Sequence, residues 1–195
     1  MSDPRGPAER RAEGEPICAV VIAPPFDKAF IAHEHPEDEL GWLGDALGVD
    51  LVIVRFVDGW ARPYSGDGTR NEQWFGWMHD ILAPCDGIVT HTQESVSANT
   101  PGRHAGGRAG GIVFARDDGV FIAYGHVQSI AVVEGQRVSA GDVVAKVGND
   151  GSAWHPHLHV GAWKDGTPLQ IRIDLAVRGA MLREQGEAAH FGVSR

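Results

Sequence analysis

Residues 112–163 read IVFARDDGVFIAYGHVQSIAVVEGQRVSAGDVVAKVGNDGSAWHPHLHVGAW. Short apolar runs recur through this stretch: Ile112 to Ala115, Val120 to Gly125, Ile130 to Val133, Asp142 to Val147 and His157 to Trp163. Each is separated from the next by a turn signal such as DDG, EGQ, SAG or NDG. β-branched runs of this length with Gly- and Asp-bearing turns between them predict short antiparallel strands. The architecture expected is therefore mostly β, a small antiparallel sheet, roll or sandwich.

Outward from this stretch the pattern continues. Upstream, Ile17 to Ile22, Val49 to Val57 (VDLVIVRFV) and Ile88 to Thr92 read as further strands. Residues 32–48 (AHEHPEDELGWLGDALG) are acidic and read as a loop with one helical turn, since Leu40, Leu43 and Leu47 fall at helical spacing. Residues 97–111 (SANTPGRHAGGRAGG) form a long Gly-rich loop, of a length that usually accompanies function or mobility. Downstream, Asp174 to Gly186 is rich in Ala, Leu, Arg and Glu and reads as a short C-terminal helix. The polar, charged segment 1–16 reads as a disordered tail. The organisation expected is this tail, one domain over 17–175, and a helical tail over 176–195.

Composition narrows the function. The 195-residue chain carries 26 Gly, 11 Pro, 10 His and a formal net charge of -9, with no Lys/Arg-rich run. That balance argues against nucleic acid or an anionic membrane as partner. Residues 1–16 have no apolar core of a leader peptide, and the run from Ile17 to Pro25 is too short to span a bilayer. On these features the expected location is cytoplasmic, without membrane insertion. Cys18 and Cys85 lack a CxxC spacing and read as free thiols.

The chemistry-bearing residues are histidines and one aspartate. In HPHLH, His157 and His159 alternate along a strand, so both side chains leave the same face. Two imidazoles on one face can bind one metal, or one can bind while its neighbour serves a bound water. His126 ends the apolar run VFIAYGH. Asp50 stands at the start of VDLVIVRF, where a carboxylate must be solvated, paired or metal-bound. His33 and His35 lie upstream among carboxylates.

Four ordered stretches then carry a resemblance: VDLVIVRFVDG; SGDGTRNEQWF with ILAPCDGIV; VFIAYGHV with VEGQRVSAGDVVAKVGNDG; and HPHLHVGAW. Together they resemble the LytM/lysostaphin-type zinc metallopeptidases over residues 33–169, the last through its PHLH motif. The resemblance implies a lysostaphin-like fold of the duplicated-hybrid-motif, barrel-sandwich type. It implies zinc held by Asp50, His159 and His35, with His33 as the alternative to His35, and catalysis by His126 and His157. Many members place the first zinc histidine four residues before the aspartate, where this chain has Ala46.

The function implied is hydrolysis of a peptide bond by a zinc-activated water. The substrate would be a peptidoglycan cross-bridge or another Gly-containing peptide, which for this family is met outside the cytoplasm. A non-catalytic LytM-like binding or activator module, and a cytoplasmic amide hydrolase on the same scaffold, are the alternatives. The sequence leaves the oligomeric state open. Three departures stand out: Gly125 before His126, no Asn at the end of the Gly-rich loop, and a longer segment between His35 and Asp50, filled by LGWLGDALG, which adds a wall beside the metal.

Overall fold

The computed structural model describes residues 6–57 and 59–184. Among the described residues there are fifteen strands: β1 (Ala19–Ile22), β2 (Phe30–Glu34), β3 (Val49–Ile53), β4 (Arg55–Val57), β5 (Trp60–Arg62), β6 (Asp80–Leu82), β7 (Gly87–Gln93), β8 (Gly111–Ala115), β9 (Phe121–Gly125), β10 (Val127–Gln128), β11 (Arg137–Val138), β12 (Val143–Val147), β13 (Leu158–Lys164), β14 (Thr167–Pro168) and β15 (Gln170–Ile173). The described residues also contain one α-helix, α1 (Leu175–Glu184), and a short 3-10 turn at Asn71–Gln73. The main sheet runs β11-β7-β8-β9-β13-β3-β2 with β14 appended to β13, and every pairing in it is antiparallel. A three-stranded sheet, β10-β12-β6, is also antiparallel, as is the β4-β5 pair; β1 and β15 pair in parallel.

The period of two in the sequence decides which face does what. Along β13, Leu158, Val160 and Ala162 enter the main core, while His159, Gly161 and Trp163 face the other way. On β3 the core takes Val49, Leu51 and Ile53 and leaves Asp50 opposite; on β9 it takes Ile122 and Tyr124 and leaves Gly125. The core face packs against Ile81, Val144, Ala145 and Val147 of the smaller sheet and against Ala83, which follows β6. Tyr124 ties the two layers by donating its hydroxyl to the Leu82 carbonyl (2.9 Å). A one-residue slip of β13 would put both histidines into hydrocarbon, so burial of the even positions fixes the register of the site.

The outer face is capped by residues 41–48. Leu43 packs with Val113, Ala123 and Trp163 in a second apolar cluster. The loop sits so close to β13 that a Cβ on Gly161 would lie 1.9 Å from the Gly44 carbonyl oxygen. Residues from the N-terminal segment hold this loop from outside. Ala8 N–H donates to Gly41 O (2.9 Å) and Leu43 N–H to Gly6 O (3.0 Å), and Arg11 forks onto Glu37 (2.9 and 2.8 Å). Within the segment that reads as a disordered tail, residues 6–16 therefore make defined contacts; residues 1–5 lie outside the described residues.

Several local readings change. Residues 30–34 form a strand, β2, whose last three residues lie in the segment 32–48 read as loop: it is an edge strand with only Phe30 buried, so it shows no apolar alternation. The segment after it is loop, as read, with a single i+4 bond from Ala46 N–H to Trp42 O (2.7 Å). The run Val49 to Val57 breaks at Val54 into β3 and β4. Ile130 to Val133 is not a strand, because Ser129 at φ 51° turns the chain out of β10. The C-terminal helix is present, its first turn capped by Asp174 Oδ1, which accepts from Ala176 and Val177 N–H (2.9 and 3.0 Å). Residues 185–195 lie outside the described residues. Cys18 is exposed, Cys85 is buried, and both are free. No helix among the described residues is long and apolar enough to cross a membrane.

Because the atom that a Gly161 side chain would strike is backbone, Gly161→Ala must displace residues 41–48. The expected cost is about 1–3 kcal/mol, read as a fall of several degrees in Tm. Gly41→Ala, where a Cβ meets nothing within 4 Å, is the control and should leave Tm unchanged. Equal Tm values for the two variants would contradict the packing described.

Candidate metal and catalytic site

Strand register builds the site. Asp50 lies opposite His33 on β2 and opposite His159 on β13, and His159 lies opposite Gly125 on β9, which pairs with Gly111 on β8. One row across the outer face therefore reads His33, Asp50, His159, Gly125, Gly111. His35 follows β2 on the same side as His33, held by its N–H donating to Gly48 O (2.8 Å). His157 immediately precedes β13. His126 immediately follows β9 in the left-handed region, at φ 59°.

The imidazoles converge on one carboxylate. Asp50 Oδ1 is 2.9 Å from His159 Nδ1 and 3.6 Å from His157 Nε2, and Asp50 Oδ2 is 3.3 Å from His35 Nε2. The other nitrogen of each ring meets a backbone carbonyl. His159 Nε2 faces Gly44 O (2.8 Å), His35 Nδ1 faces Asp45 O (3.3 Å) and His157 Nδ1 faces His155 O (2.8 Å). A carbonyl oxygen only accepts, so each outer nitrogen carries a proton. In a neutral ring the inner nitrogen is then a lone pair, and three lone pairs face a carboxylate. Such a constellation needs positive charge among its members, from a proton or a cation.

Charge follows the same geometry. Burial works against ionisation of Asp50, but the hydrogen bonds of His157, His159 and His35 outweigh it and hold the carboxyl well below the usual range. His35 is raised above the ordinary histidine value, first by its hydrogen bond to Asp50. His126 is lowered, chiefly by burial, with Asp150 opposing that shift. His155, whose ring stacks on Trp74 (4.6 Å, 6°), is lowered by burial and by His157.

All five residues singled out from the sequence come together. His35 stacks on His159 (5.2 Å between ring centres), and His126 lies 4.7 Å from His157 and 6.2 Å from His159. His33, His35 and Asp50 offer ligand atoms all within 4.8 Å of one another, a group able to hold a metal ion. His35 has the buried ring of the two histidines (side chain 9% exposed) and the backbone tether; His33 is exposed.

Sequence reasoning passed over Gly44 and Asp45, whose carbonyls orient two of the rings, and Gly48, where a Cβ would lie 2.9 Å from His159 Cε1. It also passed over Asp150, buried behind His126. The segment LGWLGDALG signals its part only through the wall it adds before Asp50. An aspartate in a turn reads as turn chemistry, which hid Asp150.

Fold and site define a mostly antiparallel β domain with a histidine and aspartate cluster on the outer sheet face. Residues 77–171 match Peptidase family M23. The matched segment contains His126, Asp150, His157 and His159; His33, His35 and Asp50 precede it. Among solved structures, the chain is similar to the catalytic domain of the prophage-encoded M23 protein EnpA from Enterococcus faecalis. Identity is 24%, covering 75% of this chain and 92% of that one, with a TM-score of 0.48. It is also similar to the catalytic domain of lysostaphin from Staphylococcus simulans, at 20% identity over 71% of this chain and 86% of that one, TM-score 0.44. No curated protein matches the chain in sequence.

The raised His35 and depressed Asp50 predict how chelator-treated protein responds to pH. The raised histidine stabilises the fold below its unfolded value of ~6.5 and loses that contribution as pH rises through its folded value. Asp50 contributes above ~3.9 and loses it as pH falls. The Tm difference between parent and His35→Ala should therefore be largest between about pH 4 and 6.5 and shrink above. A difference independent of pH across thermal melts would remove the His35–Asp50 coupling.

Proposed function

We propose that this protein is an M23-type peptidase, a zinc-dependent hydrolase of peptide bonds, with zinc held by His35, Asp50 and His159. One observation carries the reading: the rings of His35, His157 and His159 are each pinned at the outer nitrogen by a backbone carbonyl and aim the inner nitrogen at the Asp50 carboxylate. Pinning of this kind is the outer-shell support that metal-binding histidines have. Two imidazole nitrogens and a carboxylate oxygen suit zinc and complete three of its four positions, the donor count of a catalytic site. His35 is favoured over His33 by its buried ring and its tether to Asp45.

When bound, zinc supplies Lewis-acid activation of water and of the scissile carbonyl. His157 and His126 carry the protons. One takes a proton from the attacking water and returns it to the leaving amine; the other, in its protonated form, donates to the carbonyl oxygen as negative charge develops there. His157 is suited by its Nδ1–H anchored on the His155 carbonyl, which leaves Nε2 directed into the site. The low exposure of His157 and His159 (7% and 8%) keeps bulk water from competing for these contacts.

The substrate we infer is an extended peptide with small residues at the cleaved bond, such as a Gly-containing peptidoglycan cross-bridge. Beyond His159 the row across the sheet face continues with Gly125 and Gly111, so the floor beside the site carries no side chains. A backbone-floored strip accommodates a peptide that itself lacks bulk. The family resemblance points to the same substrate class.

Ligands and proton carriers separate experimentally. In His159→Ala or Asp50→Ala, zinc content and turnover of peptidoglycan or Gly-rich peptides should fall together. In His126→Ala or His157→Ala, zinc should stay near one per chain while the rate drops by ~10²–10⁴, and the two effects should not add. A parent that binds zinc but cleaves no peptide or peptidoglycan, or full turnover in His126→Ala and His157→Ala, would overturn the hydrolase mechanism and favour a binding module.

A further inference from the structure

We infer that Asp150 is a positioning residue for His126, accepting the His126 Nδ1–H and leaving Nε2 as the proton acceptor that faces the site. The inference rests on the reading of His126 as a proton carrier, and the observations behind it are independent of zinc. Asp150 stands in the turn between β12 and β13 and is 1% exposed. A carboxylate at that depth is costly unless it is paired. Its Oδ2 accepts the Gly110 N–H (3.2 Å). Its Oδ1 is 3.4 Å from His126 Nδ1. Among the described residues, neither that oxygen nor that nitrogen has a hydrogen-bond partner. Two buried polar atoms left over by the rest of the fold thus face each other.

The backbone holds His126 in place to meet Asp150. A left-handed conformation is strained for a residue with a Cβ and persists only where surrounding contacts impose it. Here Gly148 N–H donates to His126 O (2.8 Å), Val127 N–H donates to Gly110 O (3.3 Å), and Val127 pairs with Val147. The Gly110 peptide unit and its neighbours therefore hold both partners. Gly110 cannot be larger, since its Cβ would lie 1.8 Å from the Val127 carbonyl oxygen. A separation of 3.4 Å is long for a formed bond, and a small ring rotation closes it; catalytic hydrogen bonds commonly tighten only when the site is engaged.

The consequence is chemical. An imidazole that donates Nδ1–H to a carboxylate has its Nε2 lone pair free to take a proton, and the carboxylate stabilises the cation that results. That offsets the burial which otherwise lowers the basicity of His126. Asp150 acting only as a staple for Gly110 would leave the His126 tautomer undetermined.

Asp150→Asn separates the two roles. Gly110 N–H keeps an acceptor oxygen on its own side, so the amide nitrogen turns toward His126 and donates to Nδ1. The loop staple survives while the His126 proton is forced onto Nε2. The measurement is the two-bond 1H–15N correlation pattern of histidine-labelled protein at about pH 8, above the ordinary histidine range. The parent should show the Nδ1–H tautomer for His126 and Asp150→Asn the Nε2–H tautomer, with zinc content and Tm close to the parent. Turnover should fall by ~10² or more; a wrong tautomer behind an Asp-backed histidine elsewhere costs ~10⁴ in kcat. An Nε2–H tautomer in the parent overturns the assignment, as does an unchanged tautomer in the variant. If the variant does not fold, the parent spectrum alone decides. The tautomer is read without substrate, so a parent lacking turnover would count against the proposed hydrolase and not against the Asp150–His126 pair.

Discussion

The Asp50 carboxylate is the constraint around which the outer face of the sheet is arranged. It stands between His33 and His159 in strand register and takes the inner nitrogens of three rings within 2.9 to 3.6 Å. Facing acceptors repel unless positive charge lies among them, so the group is stable only when protonated or loaded with a cation. The outer nitrogens settle which way each ring is protonated. That duty falls to the carbonyls of Gly44, Asp45 and His155. The loop 41–48, which carries two of them, is pressed on the sheet through Leu43 and closely approaches Gly161 and His159.

The same alternation that builds the core exposes the site. Leu158, Val160, Leu51 and Tyr124 point inward, and their neighbours in sequence, His159, Asp50 and Gly125, point outward. Burial of apolar area, at roughly 25 cal/mol per Å², thus fixes the register on which the polar cluster depends. Polar residues within a sheet need no separate scaffold when the hydrophobic half of each strand already sets their positions to within one residue.

The loops around the site are joined by side-chain amides. Asn149 Nδ2 donates to Asn71 Oδ1 (2.8 Å), Asn71 Nδ2 to Asn99 O (2.7 Å), and Asn99 Nδ2 to the carbonyls of Gly151 and Ala153 (3.1 and 2.9 Å). These bonds tie the GDGTRN turn, the Gly-rich loop and the turn before β13 into one rim. Asp150 sits within it, and its Oδ2 secures Gly110 from the inside. The rim and the sheet therefore fix His126 from two directions, which is what a strained backbone at that residue requires.

Sequence alone determined the mostly antiparallel strands, because apolar alternation and turn residues are local signals. It also singled out Asp50, His126, His157 and His159 as candidates, through their types, order and spacing, and the fold brings their side chains together. It could not show β2, an edge strand whose side chains are mostly exposed, nor the end of β10 at Ser129. The choice between His33 and His35 stayed open for a physical reason: both leave β2 on one side, and only the fold buries one ring and gives it the Asp45 carbonyl. Asp150 was invisible as a partner of His126 because the 23 intervening residues contain three strands and several turns. Spacing along one strand is written in the sequence. Which carbonyl meets which ring nitrogen, and which carboxylate lies behind which imidazole, is decided only when strands far apart in the chain are brought into register.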